Sequence, residues 1–239
     1  MSAKPVNKSR VSSRKSGGSQ SNSIGLWIVG VSVAVVVLVV ALMMISSRQN
    51  VIAVETPDVQ PEWIDRTTMG NPDASVVVQA WEDFLCPSCM QWTQMIEPRL
   101  VEDYVKPGLV RFEFRQFPLQ SHAPGSINAA LASECAADQG GFWIYHTRLF
   151  QAQNSGQSGY TLDRLVQYAD EVGLDGRTLL QCMSGQNYAA QVNDSVNQAL
   201  ALGLNATPSV LVNGKRMTDP YDYEALQQEI DQLLAAAGE

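Results

Sequence analysis

Two of the four cysteines in this 239-residue chain, Cys86 and Cys89, stand with only Pro87 and Ser88 between them in the run FLCPSC. A pair at that spacing can hold zinc, form an inert disulfide, or exchange disulfides with other proteins. A closed zinc site needs four ligands, commonly as two close pairs. Cys135 and Cys182 stand alone, and neither His122 nor His146 has ligand spacing to them, so no metal is expected. The inert disulfide remains as the plain alternative, and Pro87 weighs against it. Proline favours the first helical position, which would put Cys86 at a helix mouth. There the unpaired N–H groups and the positive end of the helix dipole stabilise a thiolate, the reactive species. Such a setting can lower a cysteine pKa to about 3.5–7.5. Ser88 can add a donor, and Cys89, one turn further in, is the more buried thiol that resolves a mixed disulfide. Glu82 and Asp83 pull the other way, because nearby acids raise a thiol pKa. The histidines fit a turn (His122) and an aromatic helix (His146), where a surface or packed histidine is the common outcome.

The elements around the pair support redox exchange. Residues 75–81 (SVVVQAW) are short and β-branched, as a buried central strand should be. A helical stretch follows the cysteines, with Trp92, Met95 and Ile96 on one face. Pro98 should interrupt it and Pro107-Gly108 should end it. Residues 109–115 (LVRFEFR) alternate apolar and charged and read as a second strand. Strand, helix and strand in this span make a βαβ unit with parallel strands, beside which a Cys-x-x-Cys is a redox signature.

Residues 122–202 turn helical, with Leu162, Leu165, Val166, Ala169 and Val172 at helix spacing and Thr161 as N-cap. Asp175 opens a further helix, and Val192, Val196, Ala199 and Leu200 mark another, closed by Gly203. Strand character returns at 209–212 (SVLV), where Asn213-Gly214 signals a hairpin. A last helix over 221–237 buries Leu226, Ile230, Leu233 and Leu234. Ahead of the 209–212 strand, Thr207-Pro208 places proline at a strand start, where a cis bond would turn the chain sharply. An ordinary trans proline in a loop is the alternative. The expected architecture is one mixed α/β sheet with a helical insertion.

The N-terminal part is different. Residues 1–48 hold Lys4, Lys8, Arg10, Arg14, Lys15 and Arg48 and no acid, leaving ten basic and 24 acidic residues for the remainder. So acidic a remainder is a poor partner for nucleic acid. Residues 1–23 lack apolar residues to bury and read as a disordered cytoplasmic tail. Residues 24–45 are 22 uncharged, mostly apolar residues. At about 1.5 Å per residue they reach the ~30 Å needed to cross a bilayer. The run is longer than a signal-peptide core and lacks a good cleavage site, so it reads as an uncleaved anchor. Five basic residues before it and Arg48 alone close after it place the N-terminus in the cytoplasm and the rest outside a plasma membrane. Residues 46–72, with Pro57, Pro61 and Pro72, read as a stalk whose Trp63 and Ile64 can pack back on the folded domain, which is then 73–239. Outside, disulfides persist. Cys135 and Cys182, with 46 residues between them, then read as a structural bridge worth about 4 kcal/mol of chain entropy. A second redox pair or two buried thiols are the other outcomes.

These features together resemble the thioredoxin superfamily, and its DsbA-like branch with an inserted helical domain. The resemblance is carried in order by residues 69–78 (MGNPDASVVV), 82–89 (EDFLCPSC), 110–119 (VRFEFRQFPL), 129–150 (AALASECAADQGGFWIYHTRLF) and 206–214 (ATPSVLVNG), nearly all of the exported part. It implies a thioredoxin-like fold with Cys86 as nucleophile, Cys89 as resolving thiol, and a cis-proline loop at Thr207-Pro208 whose backbone pairs with extended substrate. One position departs. Many relatives carry a buried acid six residues before the first cysteine, and here that residue is Ala80. Glu82 or a water is left as the proton acceptor.

The function expected on this basis is a membrane-anchored, extracytoplasmic thiol–disulfide oxidoreductase that introduces disulfides into exported proteins with cysteines. The resemblance implies re-oxidation by a membrane protein of the DsbB or vitamin K epoxide reductase type, and no organic cofactor. No dimerisation segment appears, so a monomer is expected. The alternatives are a reductase or isomerase, and a non-enzymatic binding or chaperone module. A reduction potential near thioredoxin's, about −270 mV, would favour a reductase; an unaffected Cys86→Ser variant would favour the module.

Overall fold

A computed structural model describes residues 31–33, 35–39 and 57–238. The chain divides into two units, Met1–Asn50 and Val51–Glu239. In the first, residues 31–33 and 35–39 are helical, with valines and a leucine largely exposed. The rest of the expected tail, anchor and upper stalk lies outside the described residues. Among the described residues no helix is long and apolar enough to cross a membrane.

The second unit is built on a six-stranded sheet in the order β1-β2-β4-β3-β5-β6. The strands are β1 (Ile64–Asp65), β2 (Thr68–Met69), β3 (Val76–Glu82), β4 (Val110–Gln116), β5 (Ser209–Val212) and β6 (Lys215–Arg216). β3 and β4 run parallel in register from Val76 opposite Val110 to Glu82 opposite Gln116. The crossover between them is α1 (Pro87–Met95), a short α2 (Glu97–Leu100) and a π turn at Val101–Val105. The break between α1 and α2 falls at Ile96, just before the residue pair that includes Pro98, as a proline without an N–H requires. β5 returns antiparallel to β3. Asn213 and Gly214 then take φ of 44° and 83°, the pair of positive values a tight β5–β6 turn needs.

Helices α3 (Gly125–Ala137), α4 (Phe142–Gln151), α5 (Leu162–Glu171), α6 (Gly176–Ser184) and α7 (Ala189–Ala201) form the insertion, and α8 (Tyr223–Ala237) ends the chain. α6 and α8 are capped by Asp175 and Asp222, whose carboxylates accept the Thr178 and Ala225 amides. Thr161 stands at the start of α5 without a side-chain cap. Strand alternation sets the layers. Val76, Val78, Ala80 and Glu82 of β3 and Val110, Phe112, Phe114 and Gln116 of β4 are buried, and the apolar ones join a core shared with α1 and the insertion. Trp81 belongs to a smaller cluster with Phe117, Ala199, Leu204 and Leu211.

Three expectations need correction. The stalk over 46–72 ends earlier, because β1 and β2 pair with each other and β2 joins β4. Strands of two residues are too short to show a period, so nothing in the pattern announced them. Gly70 permits the exit from β2: at φ 110°, an added Cβ would lie 2.3 Å from the Val110 carbonyl oxygen. Met95 does not share the buried face of Trp92 and Ile96, since it ends α1 and is exposed. Leu162 and Leu200, at opposite ends of helices α5 and α7, are also exposed.

Candidate active site

Pro87 occupies the first position of α1 and Cys86 its extended N-cap. The residues between β3 and α1 turn tightly, the Cys86 amide donating to the Asp83 carbonyl at 2.9 Å. Cys86 and Cys89 are both free, 6% and 0% exposed. The Cys86 sulfur is the outer one and lies 3.3 Å from the Thr207 carbonyl oxygen. Thr207-Pro208 is a cis peptide at the start of β5. Cys89 lies one turn inside, accepting the Asp83 amide at 3.4 Å.

The two thiols are pushed in opposite directions. Cys86 is lowered to about 5, chiefly because the Cys89 thiol donates to its sulfur. Burial opposes that shift, while the Cys89 and Ser88 amides at the helix mouth and Thr207 assist it. The Thr207 carbonyl can accept only from a thiol, and the Thr207 hydroxyl beside it is buried without a hydrogen-bond partner, free to turn to a thiolate. Burial raises Cys89 well above an ordinary thiol, with its bond to Cys86 and the Glu82 charge adding to the effect. An outer thiolate and an inner thiol at neutral pH are what a nucleophile and a resolving partner require.

Alternation along β3 puts Glu82 on the same face as Ala80, two residues nearer the cysteines. Its carboxyl meets the Cys89 thiol and accepts the Thr93 hydroxyl at 3.4 Å, while its other oxygen has no partner. Burial, then Glu97, drive its pKa well up. Asp83 points elsewhere. One oxygen accepts the Leu85 amide at 2.8 Å, and the other receives the Leu119 amide at 2.9 Å and pairs with His122 Nδ1 at 2.8 Å. His122 thus fastens the catalytic loop and does not face the sulfurs. His146 is enclosed by the rings of Phe84, Phe114, Phe142, Trp143 and Phe150. Burial lowers it to about 3, so it is neutral.

Several residues at the site carried no motif. Gln153 donates to the carbonyls of Phe84 and Cys86 at 2.8 and 2.9 Å, and the Tyr160 hydroxyl donates to Phe84 as well. The insertion therefore holds the backbone of the cysteine loop. On the other side Tyr221 donates to the Ser88 carbonyl at 2.6 Å, and Trp92 Nε1 to that of Pro220 at 3.0 Å. Glu97 is buried and raised to about 8 by that burial. Cys89, Thr93 and Glu97 follow at intervals of four, a spacing that could have pointed to it. Within the insertion, Cys135 of α3 and Cys182 of α6 are joined by a disulfide with their Cα atoms 5.8 Å apart.

Residues 64–232 match the family model described as Thioredoxin. The chain belongs to the thioredoxin family. Disulfide bond formation protein D of Bacillus subtilis is 30% identical over 179 residues, covering 73% of this chain and 80% of that protein. The crystal structure of oxidised BdbD from Bacillus subtilis superposes with a TM-score of 0.66 at 29% identity, over 76% of this chain and 99% of the other. A Na(+)/H(+) antiporter, NhaA 3 of Salinispora tropica, is 32% identical over 174 residues, 72% of this chain but 26% of that protein. The chain spans about a quarter of that antiporter's length. Fold, cysteine pair and relatives agree on a DsbA-like thiol–disulfide oxidoreductase with a helical insertion in the thioredoxin fold.

Proposed function

We propose that this chain is a membrane-anchored dithiol oxidase that forms disulfides in exported proteins through Cys86 and Cys89. The observation that carries the reading is the Cys86 sulfur at the mouth of α1, lowered to about 5 and set against Thr207. A thiolate this stable favours the reduced enzyme, which makes the disulfide form a strong oxidant. In the oxidising turn a substrate thiolate attacks Cys86 Sγ. The Cys86–Cys89 bond breaks, its electron pair goes to Cys89, and Cys89 takes a proton from the Glu82 carboxyl. A second substrate thiolate attacks the substrate sulfur and expels Cys86 as a thiolate. The extended substrate lies along Thr207-Pro208. Pro87 and Ser88 tune the pair, the first by starting the helix and the second through its amide. A membrane re-oxidase of the DsbB or vitamin K epoxide reductase type removes the two electrons, and Glu82 then accepts the Cys89 proton. The reaction calls for no metal or organic cofactor.

Anchoring rests on the uncharged run 24–45, the five basic residues ahead of it and the exposed apolar side chains at its described positions, such as Val31, Val36 and Leu38. A helix apolar on all sides needs an apolar surrounding. Cys89→Ser tests the reading directly. It cannot resolve mixed disulfides, so adducts of exported proteins through Cys86 should accumulate in the membrane fraction. Adducts in the soluble cytoplasmic fraction, or none that depend on Cys86, would overturn it.

A further inference from the structure

Behind the two sulfurs lies a buried polar group that one proton acceptor does not explain. Glu82 Oε1, Glu97 Oε2 and His146 Nε2 are all buried without a hydrogen-bond partner. Native interiors rarely leave such atoms unpaired, and a cluster of them asks for a role. The three residues are linked. Thr93 Oγ1 is 3.4 Å from Glu82 Oε2, the Glu97 carboxyl meets the same hydroxyl, and His146 Nε2 is 3.9 Å from Glu97 Oε2. The groups acting most on Glu82 are Glu97, Thr93, Cys86 and Cys89, none of them cationic. Two carboxyls this close and without a cation do not both ionise.

We propose that Thr93 and Glu97 extend Glu82 into a two-carboxyl proton store for Cys89, closed at its inner end by neutral His146. This rests on the reading that Cys89 exchanges its proton with Glu82. When the disulfide opens, the Cys89 thiolate takes the Glu82 proton. The Thr93 O–H proton moves to Glu82 as the Glu97 O–H proton moves to Thr93, so one proton leaves Glu97 and one arrives at Cys89. The negative charge then rests on Glu97, against His146, instead of on Glu82 beside Cys86. The repulsion between the two carboxyls is mutual, but Glu82 also feels the charge of Cys86, which does not act on Glu97, so the inner carboxyl is the better seat for the charge. Closing the disulfide reverses each transfer. Glu97 and Thr93 touch no substrate and are positioning residues.

The test is the rate at which Cys89 displaces a small thiol from a Cys86 mixed disulfide, followed from pH 6 to 10. With the store intact the rate rises with pH through about 8, the value at which Glu97 gives up its proton. Glu82→Gln should slow closure by about 10²-fold, the low end for a lost proton acceptor. Glu97→Gln and Thr93→Val should each slow it about tenfold, a fraction of that effect, and remove the step near pH 8. Thr93→Ser keeps the hydroxyl and should restore the profile. A merely structural role would move the melting temperature and leave the profile in place. If Glu82→Gln slows closure while Glu97→Gln and Thr93→Val keep the wild-type profile, the extension fails and Glu82 acts alone. Full closure rate in Glu82→Gln overturns the underlying proton exchange and the store with it.

Discussion

Glu82 of β3 and Glu134 of α3 are glutamates sealed from solvent at 0% and 2% exposure, and Gln116 of β4 links their surroundings. Glu82 ends β3, and its partner in the parallel register is Gln116, whose amide donates to Glu134 at 3.1 Å and to Ser133 at 2.8 Å. From there the two environments diverge. Glu134 receives Gln116 on one oxygen and both Arg66 and Gln191 on the other, at 3.1 and 3.0 Å. Arg66 also reaches Asp138 at 2.6 Å, and Tyr188 closes the cluster on that same aspartate. Glu82 has the Thr93 hydroxyl, a thiol and another acid. A buried carboxylate with a cation and amides is satisfied as an anion, and its job is to join hairpin, sheet and insertion. A buried carboxyl without a cation is held protonated. The same residue type at the same depth is thereby a clasp in one place and, in the function we propose, a proton carrier in the other, and the partners decide which.

The largest effect is expected at the clasp. Glu134→Ala strips Gln116, Arg66 and Gln191 of their shared acceptor and should cost about 3 kcal/mol in denaturant unfolding, with the reduction potential of Cys86–Cys89 unmoved. A shifted potential would show that the two networks are not separate. Next comes the pH dependence of stability. The folded-state pKa of Glu97 is raised from 4.5 to about 8, so its contribution is fully present below about 4.5 and is lost as pH rises through about 8. Unfolding curves for wild type and Glu97→Gln between pH 4 and 9 should therefore diverge in slope, wild type losing stability as pH rises and the variant losing less. Parallel curves would mean that Glu97 is not held neutral. The smallest effect is expected at Glu82→Leu. Removing a carboxyl that lacks a cation should leave stability at pH 7 unchanged or raise it by about 1–2 kcal/mol, while slowing disulfide closure. A large loss would make Glu82 a clasp like Glu134.

Glu82 was legible as a candidate because it is one of two acids just ahead of Cys86, but sequence alone could not separate it from Asp83. Alternation does so only once the register of β3 is fixed: Val76, Val78, Ala80 and Glu82 face the core together. Pro87 announced the helix mouth, and the β5–β6 turn was written in Asn213-Gly214, because both depend on local backbone preference. Glu134 showed nothing. Its partners lie 68, 18 and 57 residues away at Arg66, Gln116 and Gln191, and no periodicity encodes contacts of that range. Gln153 and Tyr160 were hidden for the same reason, reaching the cysteine loop across 67 to 76 residues. Glu97 was the near miss. Its spacing from Cys89 and Thr93 is visible, but Pro98 made that stretch read only as an interruption of the helix.

The bond between Cys135 and Cys182 gives the fold a debt to its own chemistry. It ties α3 to α6 inside the insertion, and the insertion in turn supplies Gln153 and Tyr160 to the catalytic loop. A newly made copy is thus a recipient of disulfide formation before it is a donor. Where finished copies oxidise new ones, the pool matures autocatalytically, with a lag set by the first molecules to acquire the bond.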